Sequence, residues 1–529
     1  MNSHDPAMLA RLMGLMCEAI ALRGAGQIPA ALHALDSALA LDPGFIPLHM
    51  QRAGLLEEAG NHAAAVAAYE ACLDIAPAFG DARAAHRQAL AKLAAHSEAA
   101  LAAAAAPHIP NLELALATAL YKLDRAPQAL IHVERALAAD PAHFPALTLR
   151  ADILLQLNRH EEALSSYPDH AADAGEQRAL AAFNRADILR RMGRVDDALH
   201  GYDEALRLHP GFAQARVGRA HMLLMRGDFE QGWREHEARH DIAELARSRV
   251  RSANPSWRPG EDIRGKHLLL WAEQGLGDTL QFARYIGLAA SMAGHTTACV
   301  PPGLLPLLAP SFPECSFVVN DKAPPSHDIH ASLLSLPLLL DLPDPAQAPA
   351  PPYLHADARR TADWREKLDA ACGPARRPRI GLAWAGRQYA TIHASRDIPL
   401  AQLAPLFDLP ADFISLQPDI PAGDLGAREA LGGRLHEAAL QDWADTAALM
   451  ETLDLVVSVD TAVAHLAGAL GRPAFLMLRF ESEWRWGLQS GRSAWYPGTR
   501  LFRQQVRGEW GAVVEQVAAA CRERFASGR

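Results

Sequence analysis

Two folds in tandem are expected of these 529 residues: an all-α array of helical repeats, then an α/β half made of two parallel-sheet lobes. Three observations predict this. A self-similarity of 34 residues runs through the first half, as from Ala31 to Ala65. Short apolar runs alternate with helical segments in the second half, the pattern of parallel strands covered by helices. The chain is also too long to fold around one core. These shifts divide it into an array at 1–245, a connector at 246–260 and a first lobe at 261–345. An interlobe linker and helix follow at 346–376, and a second lobe with a C-terminal helix at 377–529.

Within the array, Ala31, Leu35, Ala38 and Pro43 align with Ala65, Tyr69, Cys72 and Pro77. The frame returns as Ala129, Val133, Ala136 and Pro141, as Ala163 and Tyr167, and as Ala198, Tyr202, Ala205 and Pro210. A degenerate last copy holds Gly232 and His236. The small residue lets two helices approach, the bulky one fills the gap between them, and proline stops the second helix. The period and positions resemble the tetratricopeptide repeat. Asp81 to Pro107 departs from the frame and reads as an eroded repeat or a helical joint. Such an array forms a concave groove suited to an extended peptide of a protein partner; it serves equally as a stiffener or an oligomerising element.

His236, Glu237 and His240 spell the H-E-x-x-H of zinc proteases. A zincin also needs a third ligand and a cleft. Here the motif falls in the second helix of a repeat, where Tyr202 and Tyr167 fill the same position, so a packed helix is the expected reading.

Composition excludes several classes. A formal charge of -10 gives no phosphate-neutralising surface for nucleic acid. The six cysteines (Cys17, Cys72, Cys299, Cys315, Cys372 and Cys521) contain no C-x-x-C pair, which suits free thiols in a reducing compartment. The first residues lack the pattern of a signal peptide, and the most apolar stretch, Leu333–Leu340, is broken by Pro337. A cytoplasmic protein without a transmembrane segment is expected.

In the second half, buried strands are expected at Lys266–Ala272, "TTACVPP", "SFVVN", "RIGLAWAG", "DFISLQ", "LDLVVSVD" and "PAFLML", with a last helix over Trp510–Phe525. Three of the loops after strands carry chemistry. In "EQGLGDTL", Gly275 and Gly277 open a helix where backbone N–H groups can approach an anion. Leu280 occupies the third-glycine place of a dinucleotide fingerprint, and no Gly-Lys-Ser/Thr follows. From the residues alone, Asp278 there reads first as a helix cap. In "VSVDTAVAHLAG", a strand ends at Asp460 and a helix opens at Thr461 and Ala462; its N–H groups suit a diphosphate, and His465 lies one turn in. In the third loop Gly386 precedes Arg387, His393 and Arg396, cations suited to a leaving diphosphate.

Taken in order, these loops resemble bacterial glycosyltransferase family nine, the heptosyltransferase-like enzymes of GT-B fold with two Rossmann-like lobes. The likeness is nearest to members in which tetratricopeptide repeats precede the transferase. It runs from about Gly227 through Trp257 to Phe502, most specifically in "EQGLGDTLQFARY", "SLQ" and "VSVDTAVAHLAGALG". The resemblance implies inverting transfer from a nucleotide-diphosphate sugar without metal or other cofactor. It makes Asp278 the general base, places Arg396 where the family has a diphosphate-contacting lysine, and makes Asp460, Thr461 and His465 the donor segment. Ala462 replaces that segment's glycine. An acceptor protein or glycan is then the second substrate; the layout also resembles that of O-linked N-acetylglucosamine transferases, whose repeats feed a protein acceptor to the transferase. The competing reading is a repeat scaffold with a degenerate, non-catalytic transferase domain.

Overall fold

The computed structural model describes residues 6–77, 79–103, 110–167, 175–243, 245, 250, 252–320, 323–374, 377–386, 396–488 and 490–526. Its contacts divide the chain into two compact units, Met1–Ile188 and Leu189–Arg529.

The first unit is helical throughout its described residues. Paired helices α1 (Pro6–Gly24) and α2 (Ile28–Leu41) are followed by α3 (Ile46–Glu58) and α4 (His62–Ile75). The stretch that leaves the repeat frame folds as one long helix, α5 (Gly80–Ala103), with α6 (Pro110–Lys122) and α7 (Ala126–Ala139) behind it. Then come α8 (Phe144–Gln156), α9 (His160–Ser165) and α10 (Gly175–Arg191), which crosses into the second unit. The repeat positions are the interior: Ala31, Leu35, Ala38, Ala65, Cys72, Ala129, Val133 and Ala163 are fully enclosed. Pro43, Pro77 and Pro141 stand just past the ends of α2, α4 and α7, where proline's missing N–H and fixed φ stop a helix.

The repeat pattern continues into the second unit as α11 (Val195–Leu208), α12 (Ala213–Arg226) and α13 (Phe229–His236). The last repeat therefore belongs structurally to the α/β body. A single apolar cluster runs from Leu224 and Trp233 through Phe282 and Tyr285 to Ala464, Trp484 and Trp495.

The first lobe contains β1 (His267–Trp271), α14 (Leu276–Phe282), α15 (Ile286–Met292), β2 (His295–Val300), α16 (Leu305–Ser311), β3 (Ser316–Val319), β4 (Ile329–Ser332) and the single turn α17 (Leu336–Leu339). Its sheet is parallel in the order β3-β2-β1-β4. After α18 (Ala358–Cys372), the second lobe runs β5 (Arg379–Ala383), α19 (Ala404–Phe407), β6 (Asp412–Ser415), α20 (Leu425–Leu431), β7 (Leu435–Glu437), α21 (Trp443–Met450) and β8 (Leu455–Val459). It ends with α22 (Ala462–Ala469), β9 (Ala474–Leu478), β10 (Thr499–Arg503) and α23 (Gly511–Ala526). This sheet is also parallel, in the order β10-β9-β8-β5-β6-β7. Strands β1, β5, β8 and β9 are buried along nearly their whole length, which explains their unbroken apolar runs. No helix among the described residues is long and apolar enough to cross a membrane.

A repeat array followed by two parallel-sheet lobes is thus the observed architecture. A 3₁₀ turn at Ala283–Tyr285 separates α14 from α15. That turn directs Arg284 inward, where its guanidinium lies 4.9 Å from the ring centre of Tyr353 in the linker and 5.2 Å from those of Trp495 and Tyr496 in the second lobe. Arg284 Nη2 also donates to the Trp495 carbonyl at 3.0 Å. The lobes therefore share a cation–aromatic strut beside the candidate site.

Candidate functional site

The site begins where β1 ends. Gln274 adopts a left-handed backbone, φ 62°, and turns the chain from the strand into α14. For a residue with a Cβ this costs on the order of 1 kcal/mol and must be held in place. The residue before it is the anchor. Glu273 is buried and accepts from Ser332 Oγ and from Arg239 Nη2 at 2.7 Å. Arg239 comes from the 3₁₀ turn after α13, is wholly enclosed, and also donates to Glu237 at 2.5 Å and Ser335 at 2.7 Å. Burial raises the Glu273 pKa, but the Arg239 charge and the hydrogen bonds outweigh it and hold the carboxylate below its ordinary range.

The H-E-x-x-H segment is therefore committed to structure. His236 is buried, its ring 5.8 Å from that of Trp233 and 5.4 Å from that of His221, and burial drives its pKa well below 6.5. Glu237 is the partner of Arg239.

Past Gln274, Gly275 caps α14 and Asp278 stands three residues in. One Asp278 oxygen accepts from the Gly275 N–H at 2.9 Å, so the capping expected from sequence is present. The other accepts from Arg485 Nη2, a residue that no motif or spacing singles out. Gly277 lies directly against the second lobe: a Cβ there would stand 2.8 Å from His465 Cδ2 and 3.7 Å from the Ala462 Cα. The turn bearing Asp278 and the helix following Asp460 are thus in contact.

On the second lobe, register aligns Glu437, Ser415, Leu382 and Val457 across β7, β6, β5 and β8. The loops beyond these residues share one edge, the carboxyl edge where parallel sheets bind ligands. After β8, Thr461 is the N-cap of α22, but its hydroxyl turns to Ser458 Oγ at 3.3 Å and caps none of the helix N–H groups. Burial, reinforced by Glu483, pushes the Asp460 carboxyl up to about 6, against the opposing pull of Trp486, Arg485 and Arg396. After β5, the Arg396 guanidinium lies so closely over Gly386 that any side chain there would collide with it. The Gly386 N–H donates to Asp397 at 2.9 Å, and Arg396 Nε is buried without a hydrogen-bond partner among the described residues. Arg387 and His393 lie outside the described residues.

After β6 comes the "SLQ" string. Gln417 Oε1 accepts from the Ala385 N–H at 3.2 Å and ties this loop to the one bearing Gly386. Beside it a cavity of about 480 Å³ opens between the ends of β6 and β7, lined among others by Ser415, Gln417, Asp419, Arg428 and Glu437.

Burial, with the Arg485 and Arg284 charges, lowers the His465 pKa to about 3. Its Nδ1 is 3.0 Å from the Tyr496 hydroxyl and its ring stacks on Trp486 at 5.3 Å. It is a neutral packing residue at the lobe junction.

Comparison with known proteins adds the following. Residues 2–168 and 183–232 match tetratricopeptide-repeat family models, and residues 441–489 match glycosyltransferase family 9 (heptosyltransferase). Protein FlbA of Caulobacter vibrioides is 28% identical over 505 residues, covering 89% of this chain and 83% of its own. Among solved structures, a glycosyl transferase of family 9 from Veillonella parvula is 12% identical, covers 51% of this chain and 99% of its own, and has a TM-score of 0.39. YrrB, a repeat protein with an unusual peptide-binding site, is 22% identical over 35% of this chain and 96% of its own, with a TM-score of 0.22.

Proposed function

We propose that this chain, which carries tetratricopeptide repeats and a glycosyltransferase family 9 match, is an inverting glycosyltransferase that uses a nucleotide-diphosphate sugar and needs no metal. The observation that carries the reading is the common edge of the second sheet. Cavity, Gly386–Arg396 loop and α22 terminus follow one another along neighbouring strands, with Asp278 of the other lobe at the far end. From the cavity to β8 is about 12 Å, taking about 4.8 Å per strand. That span accommodates a nucleoside in the cavity, with its diphosphate reaching the uncapped N–H groups of α22.

In the proposed reaction the acceptor hydroxyl oxygen attacks the anomeric carbon while Asp278 takes its proton. The bond from that carbon to the diphosphate oxygen breaks on the opposite face, and the nucleoside diphosphate leaves with the electron pair. Arg396 and the α22 N-terminus take up the charge, the work a metal does elsewhere. Asp460, about half protonated near pH 6, bonds sugar hydroxyls in this scheme. The acceptor is a hydroxyl of a protein or glycan, and the repeats recruit that acceptor or a protein partner.

The test is a hydrolysis and transfer screen across ADP-, GDP-, UDP- and dTDP-sugars, with Asp278→Asn alongside. The variant should lose about a hundred- to ten-thousand-fold in rate while remaining folded. Equal turnover would remove Asp278 from the role. If no donor is consumed and no nucleotide shifts the melting temperature, the non-catalytic scaffold takes over as the reading.

A further inference from the structure

Arg485 occupies a 3₁₀ turn, Trp484–Trp486, between β9 and β10 of the second lobe. It reaches across the lobe junction, donating from Nη2 to Asp278 and from Nε to Gln281 Oε1 at 2.8 Å. Little of the side chain meets solvent, 11%, so this is an enclosed pair and not a surface one. Three supports fix its aim. The guanidinium lies 4.4 Å over the Trp484 ring, and Trp484 is wedged against the last repeat, stacked on His221 at 6.2 Å and met edge-on by Trp233 at 5.4 Å. Trp486, next in the chain, stacks on His465 in α22. From beneath, Arg503 donates to the Trp486 carbonyl at 2.5 Å and to Ser482 Oγ at 2.7 Å. Arg485 thus stands between the carboxylate of one lobe and the donor loop of the other, and its charge is felt at Asp460 as well as at Asp278.

Two chemical facts bear on this position. A carboxylate bonded to a guanidinium is a weakened base, because the lone pair that should take the acceptor proton is engaged and the charged form is favoured. A diphosphate carries more negative charge than a carboxylate and matches the guanidinium fork with two oxygens. We propose that Arg485 exchanges partners: it holds Asp278 while the donor site is empty and turns to the diphosphate when the donor binds, releasing Asp278 to act as base. The inference rests on the transferase reading above. It makes the order of binding donor first, acceptor second.

The exchange predicts reciprocal effects on binding. Affinities of the full chain for ADP, GDP, UDP and dTDP, and for the matching nucleosides, are measured by calorimetry or ligand-observed NMR. The parent, Arg485→Gln and Asp278→Asn are compared at one salt concentration. Arg485→Gln should weaken the preferred nucleoside diphosphate about ten- to a hundred-fold, the loss of a charge-assisted contact, and leave the nucleoside unchanged. Asp278→Asn, which removes the nearest competitor for the guanidinium and leaves only the more distant Glu483 at 3.9 Å, should bind the diphosphate several-fold tighter than the parent. A residue that merely supports the fold would weaken nucleoside and diphosphate together and would give no gain in Asp278→Asn. Unchanged diphosphate affinity in Arg485→Gln, or an unchanged or lower one in Asp278→Asn, overturns the exchange while leaving the transferase reading in place. A parent that binds none of the four diphosphates overturns both.

Discussion

Replacing Arg239 by methionine tests how the end of the repeats holds the strained turn before Asp278. Arg239 is fully enclosed and faces two carboxylates, Glu237 and Glu273, and the Ser335 hydroxyl. Removing one partner of a buried pair costs about 3–5 kcal/mol, because the remaining charge is left desolvated and unpaired. The unit Leu189–Arg529 has about 340 residues, so its unfolding entropy is about 0.7 kcal/mol/K, and that loss lowers its melting temperature by about 4–7 °C. The pH dependence identifies the cause. In the parent, burial raises the Glu273 pKa but Arg239 more than compensates, so this carboxylate stabilises the fold above its ordinary pKa and ceases to as pH falls. In Arg239→Met burial is opposed only by the Ser332 hydrogen bond and His240, so the folded-state pKa rises and the variant gains stability as Glu273 takes up a proton. The gap between the two proteins should therefore be widest at pH 7–8 and narrow toward pH 5. Calorimetric scans across that range read it directly. A gap that is absent, or that widens on acidification, would show that the pair does not hold the turn.

Two further predictions concern the lobe junction. Asp460, pushed up to about 6, is protonated more readily folded than unfolded, so its contribution to stability falls as pH rises from about 4 to about 6. Asp460→Asn should raise the melting temperature above pH 6 and change little near pH 4; equal effects at both pH values would place the carboxyl in ordinary solvent. Gly277→Ala puts a Cβ 2.8 Å from His465 Cδ2, and His465 is itself held by Tyr496 and Trp486. Overpacking there should cost about 1–3 kcal/mol, about 1–4 °C in melting temperature, and weaken nucleotide binding; a variant that melts and binds as the parent does would mean that the helices part easily.

Legibility in the sequence followed the range of the interactions. The repeats were legible because each small or bulky position recurs in the same local surroundings, and Ala31, Ala65 and Ala129 are all enclosed. The strands β1, β5, β8 and β9 were legible because burial on both faces leaves an unbroken apolar run. Strands β4, β7 and β10 escaped notice: they are short and carry His330, Glu437 and Arg500, so neither a run nor an alternation stands out. The contact between Gly277 and α22 has no signal in the sequence, since no local pattern encodes which loops meet. Arg485 could not be found by spacing at all. Its partner lies 207 residues away, and its only sequence signal is the neighbouring tryptophans of "EWRWG". The role of Arg239 was hidden for the same reason, behind a motif that drew attention to the histidines beside it.

The membership of α12 and α13 in the α/β body limits how such a chain can diversify. The terminal repeat cannot be lost or exchanged freely, because Leu224 and Trp233 complete the interior of the α/β body. A truncation meant to retain the α/β body must therefore begin near Leu189; one that begins at the first strand, His267, would uncover Phe282, Trp484 and Trp495 and would be expected to aggregate.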